Sequence, residues 1–285
     1  MSKAGVIRRL CFRILVISLL PSMFPEMANA RKIFVEDFES GSLEGKWVPY
    51  HEFGDSVNSG FEYDPEHVHR GRASFRLTAV DRQGEESGSN IFYFFMPGED
   101  KCHFRWYAKF AEDFDQGDLM RWVLVGGNRI DNQWSVFGEP GVAGTRPNGH
   151  DFFVTDLDTW RNWGRNPAPG ELVLYSYFPD MRQDRDGNYW GNIFRAERPF
   201  QVERGKWYCF ELMVKQNTPG KHDGEQAYWV DGKEIHRVTG IRWRDTLNLK
   251  LNMLMLEVYV HQSRRNNTCW FDDVEISTEY IGPLD

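Results

Sequence analysis

The sequence is poor in cysteine and has no long apolar run beyond its first 30 residues. None of its 4 cysteines stands in a Cys-x-x-Cys or zinc-like spacing, which argues against the common zinc and dithiol motifs. No later segment approaches the roughly 20 consecutive apolar residues that a membrane-spanning helix needs. We therefore expect a soluble chain with no membrane span and no zinc site.

Basic residues are not in excess either. The chain has 42 Asp and Glu residues against 34 Lys and Arg, for a formal net charge of −8. A nucleic-acid partner normally requires a basic stripe, so this balance argues against one. A neutral glycan remains open as a ligand. An anionic glycan requires a site where local Arg, Lys and His outweigh the overall negative charge.

The first 30 residues have the pattern of an export signal. Basic residues precede the mostly apolar stretch Ile14–Phe24, which is too short to span a bilayer. Ala28 and Ala30 then supply the small residues that a signal peptidase recognises. We predict cleavage after Ala30 and a secreted or periplasmic protein, monomeric, with one domain over residues 31–285. An uncleaved N-terminal anchor is the alternative.

Three cysteines remain after that cleavage, namely Cys102, Cys209 and Cys269. Three is an odd number for an exported protein, and the spacing does not reveal whether two of them pair. Each lies in a strand-like run rich in aromatic residues. We therefore expect buried, apolar thiols.

Long windows of helical periodicity are missing from the rest of the chain, as are internal repeats and linkers. Short runs rich in aromatic and β-branched residues alternate with Gly, Pro, Asn and Asp, which is typical of an all-β sandwich or barrel. Aromatic residues make up 15% of the chain and include 11 tryptophans. This pattern predicts a two-sheet antiparallel jelly roll with little helix.

Four runs alternate between mainly apolar and mainly polar positions: 103–110, 171–178, 207–215 and 254–261. Successive side chains on a strand point to opposite faces, so each run has one core face and one polar face. The apolar positions predicted to be buried between the sheets are Phe104, Trp106, Leu172, Leu174, Phe210, Leu212, Leu256 and Val258.

The polar faces of these runs are rich in Tyr, His and Arg, whereas an ordinary outer face is mostly Thr, Ser, Lys and Glu. Aromatic rings stack on sugars and fixed donors bind hydroxyls and carboxylates, so we predict a carbohydrate groove. A solvated face with partly buried aromatic residues is the alternative. The predicted substrate-binding residues are His103, Tyr107, Lys109, Tyr175 and Glu211.

One reaction suits these side chains, namely β-elimination in a uronic-acid polymer. It needs a group that neutralises the carboxylate, a base for the adjacent C–H, and an acid for the leaving oxygen. Arg105 would neutralise, His261 would act as base, and Tyr259 or Tyr177 as base or acid. We predict that these four side chains line one concave surface. His150, in a Gly-rich loop, is predicted to close over it.

A glycoside hydrolase instead needs two positioned carboxyl groups. Glu257 and Glu211 are the pair that the polar faces offer. The Glu-x-Asp-x-x-Glu strand of the laminarinase-like sandwich hydrolases is absent from the sequence, which makes hydrolysis the less favoured reaction.

A metal site is expected only as a structural feature. The first predicted strand is acidic, and so is the last, and these two strands are often neighbours in sandwiches. Carboxylate oxygens are the ligands that Ca²⁺ prefers. Glu36, Asp37 and Asp272 are therefore predicted to hold a structural Ca²⁺, and no other cofactor is expected.

Four motifs stand out in the second half of the chain: Gly205-Lys206-Trp207-Tyr208, Asp231-Gly232-Lys233, Trp270-Phe271-Asp272-Asp273-Val274 and Tyr280-Ile281-Gly282-Pro283. Through them the chain resembles polysaccharide lyases of the concanavalin A-like jelly-roll group, similar to alginate and glucuronan lyases. The resemblance covers residues 205–283 and marks the fold more than the chemistry. Two expected strands of one well-known lyase pattern, Arg-Thr-Glu-Leu-Arg and Gln-Ile-His, are missing.

The resemblance implies an extracellular carbohydrate-active protein with its site on a sheet face. We expect a lyase that cleaves an acidic, uronate-containing polysaccharide. Three other classes remain open: a non-catalytic glycan-binding sandwich, a glycoside hydrolase, and a structural protein of the cell envelope. A binding module would show affinity without product, and a hydrolase would release products without ultraviolet absorbance.

Overall fold

The computed structural model describes residues 30–50, 59–118, 120–137 and 142–285. Residues 1–29 of the predicted export signal and residues 138–141 of the Gly-rich loop lie outside these ranges. No helix in the described ranges is long and apolar enough to cross a membrane. The strands are β1 (Lys32–Glu36), β2 (Val48–Tyr50), β3 (Gly60–Glu62), β4 (Ser74–Ala79), β5 (Ser87–Glu99), β6 (Lys101–Phe110), β7 (Met120–Arg129), β8 (Phe152–Trp160), β9 (Gly170–Tyr177), β10 (Asn192–Arg195), β11 (Gln201–Val202), β12 (Trp207–Lys215), β13 (Gly224–Val230), β14 (Lys233–Ile241), β15 (Leu249–Val260) and β16 (Asn267–Ser277), with short 3-10 helices at Pro65–His67 and Ser135–Phe137.

These strands form two antiparallel sheets. The first sheet has the order β14-β13-β12-β6-β16-β4-β3, and β1 also pairs with β16. The second sheet has the order β10-β9-β8-β7-β15-β5-β2, and β11 also pairs with β9. The predicted all-β, two-sheet jelly roll with little helix is confirmed. In this order β6 and β12 belong to the first sheet, whereas β9 and β15 belong to the second.

The core lies between the two sheets. All eight residues predicted to be buried there have no exposed surface, which confirms the alternation in the four runs. Aromatic rings fill the centre: the centroid of Trp122 lies 5.7 Å from that of Trp106 and 4.8 Å from that of Phe210. Cys102, Cys209 and Cys269 are buried and unpaired, as expected of apolar thiols.

Replacing Phe210 by alanine should destabilise the fold by about 3–5 kcal/mol, because a fully buried ring leaves a cavity in close-packed surroundings. Val35→Ala is the matched control, since Val35 is 48% exposed and should change stability by less than about 0.5 kcal/mol. Guanidinium denaturation followed by tryptophan fluorescence measures both. Equal losses in the two variants would contradict the assignment of the core.

Candidate functional site

Five of the sequence-predicted residues lie on the outer face of the second sheet. Leu256 and Val258 of β15 point into the core, so the residues between and after them point outward. On β8 and β9, Thr155 and Ser176 contact Gln226 of the first sheet across the core. Their neighbours therefore point outward as well. The five residues are Tyr175, Tyr177, Glu257, Tyr259 and His261.

Tyr259 and His261 are the most accessible of these five residues. The Tyr259 hydroxyl lies 3.3 Å from His261 Nδ1 and donates to Glu86 Oε2 at 2.9 Å. Burial and the bond to Glu86 raise the pKa of Tyr259. Burial lowers the pKa of His261 below its usual 6.5. At neutral pH the face therefore presents a neutral imidazole beside a protonated phenol.

Arg121 of β7 lies beside these residues and was missed by the sequence analysis. Its guanidinium carbon lies 4.1 Å above the ring of Tyr175, and its Nη2 donates to the Tyr177 hydroxyl at 3.4 Å. Its positive charge also acts on Tyr259 and His261. Tyr177 itself is fully buried, so in this structure it contacts Arg121 and not the solvent.

Two carboxylates of β8 hold Arg121 in place. Asp156 forms an ion pair with Arg121 Nη1, and Asp158 Oδ2 lies 3.9 Å from the same nitrogen. Both aspartates are buried, and Asp156 Oδ1 and Asp158 Oδ2 have no hydrogen-bond partner among the described residues. Burial raises the pKa of Asp156 to about 6, despite Arg121, and raises that of Asp158 well above its ordinary value. The two raised pKa values favour the binding of a proton by the Asp156–Asp158 pair.

A β-bulge explains why Arg121 was missed. Leu256 pairs with Val123, but Tyr259 pairs with Arg121, so β15 carries an extra residue between them. Both Trp122 and Val123 are buried as a result, which breaks the alternation that revealed the other strands. The Trp122 amide donates to Asp158 Oδ1 at 2.9 Å. The Asp-Leu-Asp sequence of β8 places two carboxylates on the same face of the strand, and this was the sequence signal from which the cluster could have been predicted.

Glu257 is paired within the same face. It is buried, and its Oε1 accepts a hydrogen bond from Asn90 Nδ2 of β5 at 3.2 Å. Its charge contributes to the raised pKa of Asp158 on the other side of β7. Glu257 therefore faces Asp158 across one intervening strand.

The predicted single surface is wrong, because Arg105 lies on the other sheet. β6 pairs with β12 and β16 in the first sheet, and Arg105 stands on its outer face. Its guanidinium donates to Glu275 Oε2 at 3.2 Å and to the Gly282 carbonyl at 3.4 Å. Arg105 is buried under the C-terminal segment. It cannot neutralise a substrate held by Tyr259 and His261.

Four of the predicted substrate-binding residues also lie on the first sheet, away from Tyr259 and His261. His103 Nδ1 lies 2.7 Å from Glu211 Oε1, and both side chains are buried. The Tyr107 hydroxyl accepts from the Leu284 amide at 2.7 Å. Lys109 Nζ donates to the Glu66 carbonyl at 2.9 Å. The hydrolase pair of Glu257 and Glu211 is therefore split between the two sheets.

His150 lies at the far end of the second sheet. It is exposed, and its charge acts on Asp245, which stands just before the start of β15. Tyr259 stands near the end of that strand, roughly 30 Å away at about 3.3 Å per residue. The structure does not place His150 over the Tyr259 hydroxyl, contrary to the prediction.

The residues predicted to hold Ca²⁺ do not converge. Both oxygens of Glu36 are engaged, by the Phe38 amide at 2.9 Å and by the Trp47 indole at 3.2 Å. Asp37 is exposed, and its Oδ1 accepts from the Glu39 amide. Among the described residues, the carboxylate and imidazole atoms that do gather within 4.8 Å of one another belong to His69, Asp272 and Asp273.

No protein-family model and no curated protein matches the sequence, but solved structures do match the fold. An alginate lyase from Aplysia kurodai superposes with a TM-score of 0.67 at 17% identity, over 87% of this chain and 100% of that one. An endo-β-1,4-glucuronan lyase from Trichoderma reesei gives 0.57 at 17%, over 87% and 96%. A structure described for endo-acting O-glycanases of human gut microbiota gives 0.55 at 14%, over 88% and 100%.

These neighbours place the chain in a structural class. It is a jelly-roll β-sandwich of the kind found in alginate and glucuronan lyases. At identities of 13–17% the likeness establishes the fold, while residue roles must come from the site itself.

Proposed function

We propose that the protein is an exported polysaccharide lyase that cleaves a uronate-containing glycan by β-elimination on the outer face of the second sheet. The observation that carries the proposal is the Tyr259–His261 pair, 3.3 Å apart, with Arg121 alongside. A base, an acid and a cation are the three groups that the reaction requires. The lyases among the structural neighbours support the choice of substrate class.

Each group has a defined task. Arg121 donates to the uronate carboxylate and so acidifies the C–H bond next to it. The neutral His261 imidazole takes that proton through Nε2, since its Nδ1 faces the Tyr259 hydroxyl. As the double bond forms, the bond to the leaving glycosidic oxygen breaks, and Tyr259 supplies the proton to that oxygen. The Tyr259 phenolate then recovers a proton from the His261 imidazolium, whose Nδ1 lies 3.3 Å away, which restores the phenol and the neutral imidazole.

The direct test is a screen of the purified protein against alginate, glucuronan and neutral polymers. We expect a rise in ultraviolet absorbance from the unsaturated product with at least one uronate polymer and none with the neutral ones. Affinity for these polymers without any product would instead identify a binding module.

The pH dependence of kcat/KM follows from the two shifted groups. Because burial lowers the pKa of His261 below 6.5, the acid limb should lie below pH 6.5, where the base becomes protonated. Because Tyr259 has a pKa above 10, activity should persist to at least that pH. Asp156 has a pKa of about 6, so Asp156→Asn is the control and should keep the acid limb. An acid limb above pH 6.5, or the loss of the acid limb in Asp156→Asn, would contradict the assignment of His261 as the base.

One observation favours a second candidate, a glycoside hydrolase. Asp158 and Glu257 lie on the two strands that flank β7, and two strand spacings put the backbones of those strands about 9.5 Å apart. Inverting hydrolases hold their carboxyl groups about 6.5–9.5 Å apart. The acidic groups of this face also suit a neutral sugar better than an anionic one. The hydrolase would lose activity in Asp158→Asn and Glu257→Gln and keep it in His261→Ala.

A further inference from the structure

A cavity of about 700 Å³ opens on the outer face of the first sheet, on the other side of the sandwich from Tyr259 and His261. Strands β6, β12 and β13 form its floor, β14 forms one side, and the C-terminal segment forms another. Its volume falls within the range of ordinary small-molecule sites. The residues that line it include Lys101, His103, Lys215, Trp229, Arg237 and Tyr280.

Three rings meet at the centre of this cavity. The Trp229 centroid lies 5.6 Å from that of His103 and 5.5 Å from that of Tyr280. Trp229 is largely covered, whereas Tyr280 is 47% exposed. The ring of Tyr280 therefore offers a supported aromatic surface on which the apolar face of a sugar can lie.

Cations surround these rings. Lys101 pairs with Glu279 at 2.8 Å, and Lys215 pairs with Glu225 at 2.8 Å. The Arg237 guanidinium lies 5.5 Å above the ring of Trp229. Arg237 also pairs with Glu234 at 2.7 Å and with Glu225 at 3.3 Å, so all three cations of the cavity are held by exposed or partly exposed glutamates. Partly exposed ion pairs are weak, so a ligand carboxylate or hydroxyl can exchange into them at little cost.

A buried pair fixes one wall of the cavity. His103 and Glu211 are in contact at 2.7 Å with only 5% and 2% of their side chains exposed. The same Glu211 carboxylate accepts from the Ile281 amide at 3.1 Å and the Gly282 amide at 2.8 Å. These bonds hold the C-terminal segment, and with it Tyr280, against the sheet. The contact with Glu211 uses His103 Nδ1, which leaves Nε2 as the nitrogen for a ligand.

We propose that this cavity is a second saccharide-binding site, which takes a uronate-bearing segment of the polymer. The aromatic surface and the spaced donors and acceptors define the ligand as a sugar, and Lys101, Lys215 and Arg237 can exchange their glutamate partners for its carboxylate. Only the choice of the acidic sugar rests on the proposed function. The site would keep a long chain attached while the opposite face acts on another segment.

Binding can be measured apart from cleavage in the Tyr259→Phe/His261→Ala background. The probes are alginate tetrasaccharide, a glucuronan oligosaccharide and neutral cellotetraose, with equilibrium dialysis to count bound ligands per chain. We expect two sites for a uronate probe. Tyr280→Ala should remove one of them or weaken it about tenfold, and Arg237→Ala should weaken it for the uronate probe alone. Tyr63→Ala is the control, since Tyr63 is 61% exposed near the opposite edge of the same sheet.

The outcomes separate this inference from the proposed function. Binding that depends on Tyr280, together with the absence of unsaturated product, would support this site while the lyase activity fails. A single site that Tyr280→Ala leaves unchanged, or the absence of saturable binding of any probe, would overturn it, whatever the activity.

Discussion

Replacing His261 by alanine, or Tyr259 by phenylalanine, is expected to lower turnover of a uronate polymer by about 10²-fold or more. His261→Ala removes the base, and Tyr259→Phe removes only the hydroxyl that protonates the leaving oxygen. Neither residue belongs to the core between the sheets, and His261 is exposed. Both variants should therefore keep the thermal unfolding midpoint of the parent protein within a few degrees.

Matched controls exist for both changes. His222 is an exposed histidine whose Nε2 contacts Asp180 at 2.9 Å, and Tyr63 is an exposed tyrosine. His222→Ala and Tyr63→Phe should leave turnover unchanged. If His261→Ala retained more than about a tenth of the parent activity, His261 would not be the base. If Tyr259→Phe did so, Tyr259 would not be the acid.

Replacing Arg121 by alanine should lower the stability by about 3–5 kcal/mol at neutral pH, as much as the loss of a core ring. The substitution leaves Asp156 and Asp158 buried without their cation, and a carboxylate without a partner is costly there. A buried carboxyl group whose pKa is raised binds its proton more tightly in the folded state than in the unfolded one. The loss should therefore shrink as the pH falls toward the ordinary aspartate pKa of 3.8.

A triple variant separates the two roles of Arg121. Arg121→Ala/Asp156→Asn/Asp158→Asn removes the charge of all three side chains, so it should recover much of the lost stability, although it leaves a gap where the guanidinium lay. It should not recover the activity, since the Arg121 guanidinium no longer lies beside Tyr259 and His261. Urea denaturation and the ultraviolet assay on the same samples measure both quantities. Activity that returns together with stability would show that Arg121 only supports the fold.

The alternation of apolar residues was sufficient to predict which side of each strand is buried. Phe104, Leu174, Phe210 and Leu256 belong to four different strands, and all are fully buried. The two-residue period of the buried positions is a local property, since it depends on the backbone of one strand alone. For the same reason the outward direction of Tyr259 could be predicted from sequence.

The sheet to which each strand belongs could not be predicted in this way. Arg105 and Tyr259 both point outward, yet β6 pairs with β12 and β16, whereas β15 pairs with β5 and β7. Pairing between strands far apart in the chain is decided by long-range packing, which no single run reveals. Arg121 was hidden for a different reason, since the bulge opposite it breaks the period.

The fate of water in the reaction tests the central claim most directly. The purified protein should be incubated with the uronate polymer that it cleaves, in water enriched in ¹⁸O, and the products examined by mass spectrometry. Elimination predicts unsaturated ends lighter by one water than the hydrolysis product, and new reducing ends with no more ¹⁸O than a preformed reducing end acquires by anomeric exchange in the same time. Saturated products whose reducing ends carry ¹⁸O above that exchange would contradict the lyase account and show hydrolysis instead.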